Sequence, residues 1–127
     1  YLPAFVDEAE ASALFAALAP YAGQWTDVRG RRLLCFGGHP GPDGPGPPEP
    51  LPPFLAQASE ALVARGVFAP EEAPDHVLVN AYNPGQGLMP HQDGPSYRPR
   101  VAILSLGGPA ALDFWGSLAD SVRARLE

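Results

Sequence analysis

The sequence has no lysine. Its eight basic residues are all arginine, set against fourteen acidic ones, and the net charge is −6. The average field of such a chain repels nucleic acid and anionic membranes, so bulk attraction to either is excluded and any binding must come from a local patch. Cysteine occurs once, as Cys35 in RLLCFGG. A lone cysteine forms no internal disulfide, which fits a reducing compartment. Its apolar neighbours point to a buried small hydrophobe rather than a nucleophile. There is no run of about 20 apolar residues, so no membrane-spanning helix is expected. The first residues, YLPAFVDEAEA, lack the charged start and apolar stretch of a signal peptide. They also lack an initiator methionine, so the protein is expected to begin upstream, and with no signal peptide or membrane span the expectation is a soluble intracellular protein, nuclear or cytoplasmic.

What is present is enough for a core. The chain has 127 residues, 46% of them hydrophobic, which fits one domain or part of one. VDEAEASALFAALAPY reads as a helix, with Asp7 as cap and Glu10 completing a capping box. Leu14, Phe15 and Leu18 would form its apolar stripe, and Pro20 would end it. QWTDVRGRRLLCFGG predicts a short strand or irregular ribbon. Residues 40–53 hold eight prolines, which no helix or central strand tolerates, so a surface loop is expected. PPFLAQASEALVARGVF predicts a second helix with proline in its first turn. Phe54, Leu55, Ala58 and Leu62 would line one side, and Gly66 would be the stop.

From residue 76 the pattern changes to period two. HVLVNAY puts His76, Leu78, Asn80 and Tyr82 on one face and Val77, Val79 and Ala81 on the other. NPGQG is a turn, and LMPHQDG would be the return strand of a hairpin. RVAILSLGG, residues 100–108, is apolar on both faces and predicts a central strand. PAALDFW predicts another, and GSLADSVRARLE a helical tail with Leu118, Val122 and Leu126 at helical spacing. Helices first and antiparallel strands after imply an α+β class.

The chemistry lies in VNAYNPGQGLMPHQDG, residues 79–94. On an extended segment, side chains two apart point the same way, with Cα atoms about 7 Å apart. His91 and Asp93 could thus bind one metal at adjacent positions, as two-thirds of the two-histidine, one-carboxylate arrangement that holds non-haem Fe(II). The plainer alternative is a surface hydrogen-bonded pair. Asn80 and Tyr82 share a strand face before the turn, and across a hairpin would reach the same cavity. An amide and a phenol there need polar partners, either a carboxylate co-substrate or the neighbouring loop. Arg29, Arg31 and Arg32 cluster in VRGRRL, which is either a solvated group or a site for phosphate or carboxylate.

Taken together, VNAYNPGQGLMPHQDG and VAILSLGGPAALDF resemble the core of the AlkB-type dioxygenases, which depend on Fe(II) and 2-oxoglutarate. HVLVN, MPHQDGP-Y, SLG and LDF, with WTDVRGRRL, GG-P and LPPFL upstream, are similar to the alkB homologue six branch. The resemblance covers residues 1 to about 115. It implies that His91 and Asp93 are the first two iron ligands and that Asn80 and Tyr82 hydrogen-bond 2-oxoglutarate. It implies a double-stranded β-helix, a jelly-roll of two facing sheets, supported by N-terminal helices. The implied partners are O2, 2-oxoglutarate and, as substrate, an N-alkylated base in DNA or RNA, usually flipped from its stack or single-stranded. Arg29, Arg31 and Arg32 are then the candidates for phosphate contact, because the family's N-terminal segment helps to form a substrate lid.

The chain departs from the family after Asp93, where neither a second histidine nor the arginines for the far carboxylate of 2-oxoglutarate follow in the expected context. His39, in a Gly-Pro loop, and His76, at a strand start, do not fit the third-ligand role. Arg123 and Arg125 fall in the helical tail. The expectation is a single partial dioxygenase domain over 1–127, with the C-terminal part of the roll missing. Within it, 1–75 is helical and lid-like, 76–115 carries the jelly-roll strands, and 116–127 is divergent. Alone, this polypeptide should be inactive. The rival readings are a degenerate, non-catalytic interaction module of the same fold and a cupin-like metal protein, the latter disfavoured by Asn80 and Tyr82.

Overall fold

The computed structural model describes residues 1–38, 47 and 49–123. Most of the proline-rich loop, His39, Arg125 and Leu126 lie outside the described residues. The chain divides into two compact units, Tyr1–Gly87 and Leu88–Glu127.

In the first unit, helix α1 (Glu8–Ala17) starts on the expected capping box. The Glu10 N–H donates to Asp7 Oδ1 at 2.7 Å and the Asp7 N–H to Glu10 Oε2 at 2.8 Å. Two of the helix's orphan donors are thereby satisfied, and such a cap contributes about 1 kcal/mol. The expected stripe is only partly used. Leu14 and Leu18 are half-buried, but Phe15 is exposed, so it does not join the core. Packing reaches this helix mainly at its C-terminal end, where Leu18 meets the core. A 3-10 segment containing Pro20, Ala19–Gln24, then leads into the sheet.

Strands β1 (Thr26–Val28) and β2 (Arg31–Gly37) form a hairpin on the two-residue turn Arg29–Gly30, with Val28 opposite Arg31 and Thr26 opposite Leu33. Gly30 has φ 79°, and a Cβ there would lie 2.8 Å from the Gly87 carbonyl oxygen. Glycine is required on both counts. Helix α2 (Pro53–Ala64) begins with proline and ends as expected at Gly66, which has φ 70°. The Gly66 N–H donates to Val63 O and the Val67 N–H to Leu62 O, the paired bonds of a Schellman stop. Strand β3 (His76–Ala81) completes an antiparallel sheet of order β1–β2–β3, with Leu34 opposite Val79 and Phe36 opposite Val77.

That register decides the core. Leu34, Phe36, Val77 and Val79 share one sheet face, and Leu34, Phe36 and Leu55 of α2 are buried together. Tyr21 and Phe54 both stack edgewise or tilted on this group, with the Tyr21–Phe36 and Phe36–Phe54 centroids 4.8 and 5.9 Å apart. Ser59, buried in α2, donates its hydroxyl proton to the Pro74 carbonyl at 2.8 Å, so its burial leaves no unmet polar group. Cys35 lies on the opposite sheet face, half-buried beside its partner Leu78. Desolvation raises its thiol above the ordinary value, in keeping with the reading of a packed hydrophobe.

Asn83–Gln86 forms the expected turn. The Gln86 N–H donates to the Asn83 carbonyl and the Gln86 side chain accepts from the Asn83 N–H. Pro84 and Gly85, at φ 82°, occupy the positions a type II turn reserves for them.

The second unit corrects the sequence reading. Among the described residues, the stretch 88–117 contains no strand. The expected return strand over LMPHQDG, the central strand over 100–108 and the strand over PAALDFW are not formed. Val101 and Ile103 are about 60% exposed and Phe114 is 83% exposed. A β-branched run becomes a strand only when a neighbour accepts and donates its backbone hydrogen bonds. Prolines at 90, 95, 99 and 109 further remove donors from this stretch. The helical tail is present as α3 (Leu118–Arg123), as its spacing predicts. The architecture is therefore α+β, a three-stranded antiparallel sheet with helices. A two-sheet roll is not formed by the described strands.

Candidate metal centre

His91 and Asp93 are brought together. His91 Nε2 lies 3.6 Å from Asp93 Oδ1, and both side chains are about half exposed. The other ring nitrogen, Nδ1, is 2.9 Å from the carbonyl oxygen of Met89. A carbonyl only accepts, so a hydrogen bond here assigns the proton to Nδ1. A separation of 3.6 Å is too long for a good N–H···O bond. It does suit a shared cation: ligand bonds of about 2.1 Å let one ion touch any two donors closer than about 4.2 Å. An imidazole nitrogen and a carboxylate oxygen form a donor set suited to Fe(II). These two residues therefore fit a metal. Among the described residues, no group of three His, Cys, Asp or Glu side chains is placed to hold one.

Asn80 and Tyr82 belong to the first unit. Asn80 is on β3, on the sheet face away from the core and opposite Leu33, and is exposed. Tyr82 follows one residue after the strand ends and is also exposed. His76 opens β3 opposite Gly37.

The three arginines do not converge. Arg29 sits exposed at the β1–β2 turn. Arg31 and Arg32 are consecutive on β2 and so take opposite faces. The Arg32 guanidinium lies over the Trp25 ring, 5.2 Å from its centroid, and is 3.9 Å from Asp27, its cross-strand partner. The stacking contributes about 0.5–1 kcal/mol at an exposed site, and the exposed ion pair less. This engagement was missed from the sequence. The Arg-Gly turn, by fixing the register, is the signal that places Asp27 opposite Arg32. The Met89 carbonyl was missed as well, because a backbone acceptor carries no residue signature.

The chain is 44% identical over 117 residues to the zebrafish (Danio rerio) protein named probable RNA/DNA demethylase ALKBH6, covering 91% of this chain and 49% of that protein. The chain belongs to the AlkB-type dioxygenase family, in the alkB homologue six branch. Two further relatives agree. The alpha-ketoglutarate-dependent dioxygenase AlkB of Salmonella typhimurium is 38% identical over 76 residues, 58% of this chain and 34% of that protein. The tRNA (carboxymethyluridine(34)-5-O)-methyltransferase alkbh8 of Xenopus tropicalis is 38% identical over 68 residues, 53% of this chain and 10% of that protein. No family model matches the chain. The chain spans about half the length of the ALKBH6 relative. No helix among its described residues is long and apolar enough to cross a membrane.

Proposed function

We propose that this AlkB-type chain carries the metal-binding segment of an Fe(II)- and 2-oxoglutarate-dependent dioxygenase that demethylates alkylated nucleic acid. The observation that carries the reading is the 3.6 Å approach of His91 Nε2 to Asp93 Oδ1, within a chain 44% identical to a protein named as an RNA/DNA demethylase. In this reading His91 and Asp93 hold the iron, and Asn80 and Tyr82 hydrogen-bond 2-oxoglutarate. When bound, the metal and co-substrate would supply oxidation of an N-methyl C–H bond by O2, with 2-oxoglutarate converted to succinate and CO2 and the hydroxymethyl product releasing formaldehyde. The half-exposed carboxylate and imidazole bind and orient the ion. The exposed amide and phenol present hydrogen bonds to an anionic ligand. Arg29 is the foremost of the three arginines for phosphate contact, since Arg32 is held by Trp25 and Asp27. A jelly-roll completed by further strands and a nuclear or cytoplasmic location belong to the same proposal.

No histidine follows Asp93 in the 127 residues, so two protein ligands alone should hold the ion weakly. The polypeptide made by itself should then yield no Fe(II)-dependent succinate. Titration with Mn(II), followed by electron paramagnetic resonance, tests the centre. One weak site is expected, lost in His91→Ala and in Asp93→Ala. Uptake indifferent to both substitutions would contradict the reading and favour the non-catalytic interaction module.

A further inference from the structure

The imidazole of His91 is half exposed, so packing does not fix the ring. In water a neutral imidazole favours the proton on Nε2, which would leave no lone pair facing Asp93. The structure instead sets Nδ1 2.9 Å from the Met89 carbonyl oxygen, a contact that is a hydrogen bond only with the proton on Nδ1. Something local must therefore offset the intrinsic preference, and that acceptor lies two residues back along the chain. Its direction depends on the torsions between Met89 and His91. Residue 90 is proline, which locks its own φ near −65° and pushes the preceding residue away from the helical region. It thereby fixes the first of the torsions that separate the Met89 carbonyl from the His91 ring. Proline also makes the Met89 carbonyl that of a tertiary amide, a stronger acceptor than an ordinary peptide.

We propose that Pro90 is a positioning residue for His91: by directing the Met89 carbonyl onto Nδ1–H, it holds the imidazole in the form whose Nε2 lone pair faces Asp93. The inference rests on the proposed metal-binding role, where an outer hydrogen bond of this kind fixes the tautomer and the ring direction. The test needs no bound metal. Nitrogen-15 NMR of His91 in the full chain, in alkaline buffer, should show Nδ1 as the protonated nitrogen. Pro90→Ala should move the ring substantially toward the Nε2–H form and weaken Mn(II) uptake by about tenfold. Met89→Leu, which keeps the carbonyl, should leave the tautomer unchanged. A ring already in the Nε2–H form, or one unaltered by Pro90→Ala, overturns the inference, and a merely structural proline would give the latter. Because the tautomer is read without metal, failure here is told apart from failure of the metal centre, which shows as Mn(II) uptake indifferent to His91→Ala.

Discussion

RRLLCFG, residues 31–37, and RVAILSL, residues 100–106, look alike in sequence, and the second is the better strand former by composition. It holds Val101 and Ile103, whereas the first has no β-branched residue at all. Yet the first is β2, the middle strand of the sheet, and the second has no assigned strand. The difference lies in partners. β2 has β1 on one side, supplied by a two-residue turn, and β3 on the other, and its Leu34 and Phe36 are buried against α2. The backbone of 100–106 has no such ladder among the described residues, and Val101 and Ile103 face solvent. Propensity is a weak term beside pairing and burial.

Hydrogen exchange should give the largest contrast between these two segments. Amides of Leu34–Phe36 should exchange on the order of a hundredfold more slowly than those of Val101–Ser105. Equal protection would show that the second segment has found a pairing partner in solution. Truncation sharpens the same contrast energetically. Phe36→Ala removes a buried ring from the Tyr21–Phe54 cluster and should cost about 3–5 kcal/mol in denaturant unfolding. Ile103→Ala should stay within about 0.5 kcal/mol; a loss comparable to that of Phe36→Ala would mean that Ile103 is packed. The smallest effect concerns chemistry on β2 itself. Desolvation raises the Cys35 thiol, so at neutral pH it holds less thiolate than a free cysteine. Iodoacetamide should therefore alkylate it more slowly than glutathione, with a rate that climbs as pH rises. A rate above that of glutathione would contradict its placement.

The approach of His91 to Asp93 was legible for the same kind of reason that the first unit was. His91 and Asp93 are two residues apart, so any extended conformation brings them to one side, and the observed 3.6 Å needs nothing distant. Phe15 shows the opposite case. Its helical spacing was correct, but spacing does not say which positions a neighbour will cover, and it is exposed. The arginine cluster is divided in the same way. Adjacency in sequence sends Arg31 and Arg32 to opposite faces once the segment is a strand, and Trp25 and Asp27 then claim Arg32.

The sequence by itself determined the features that close within a few residues: the Asp7–Glu10 box, the stop at Gly66, the Asn83–Gln86 turn, the alternation of 76–81 and the His91–Asp93 pair. Each is satisfied by neighbours along the chain and needs no distant partner. Only the tertiary structure decided the β1–β2–β3 register, the choice of Leu34 and Phe36 as core, and which apolar run became a strand. Those outcomes depend on a ladder and a packing surface supplied from elsewhere, and a segment's own residues do not encode whether its partner is there.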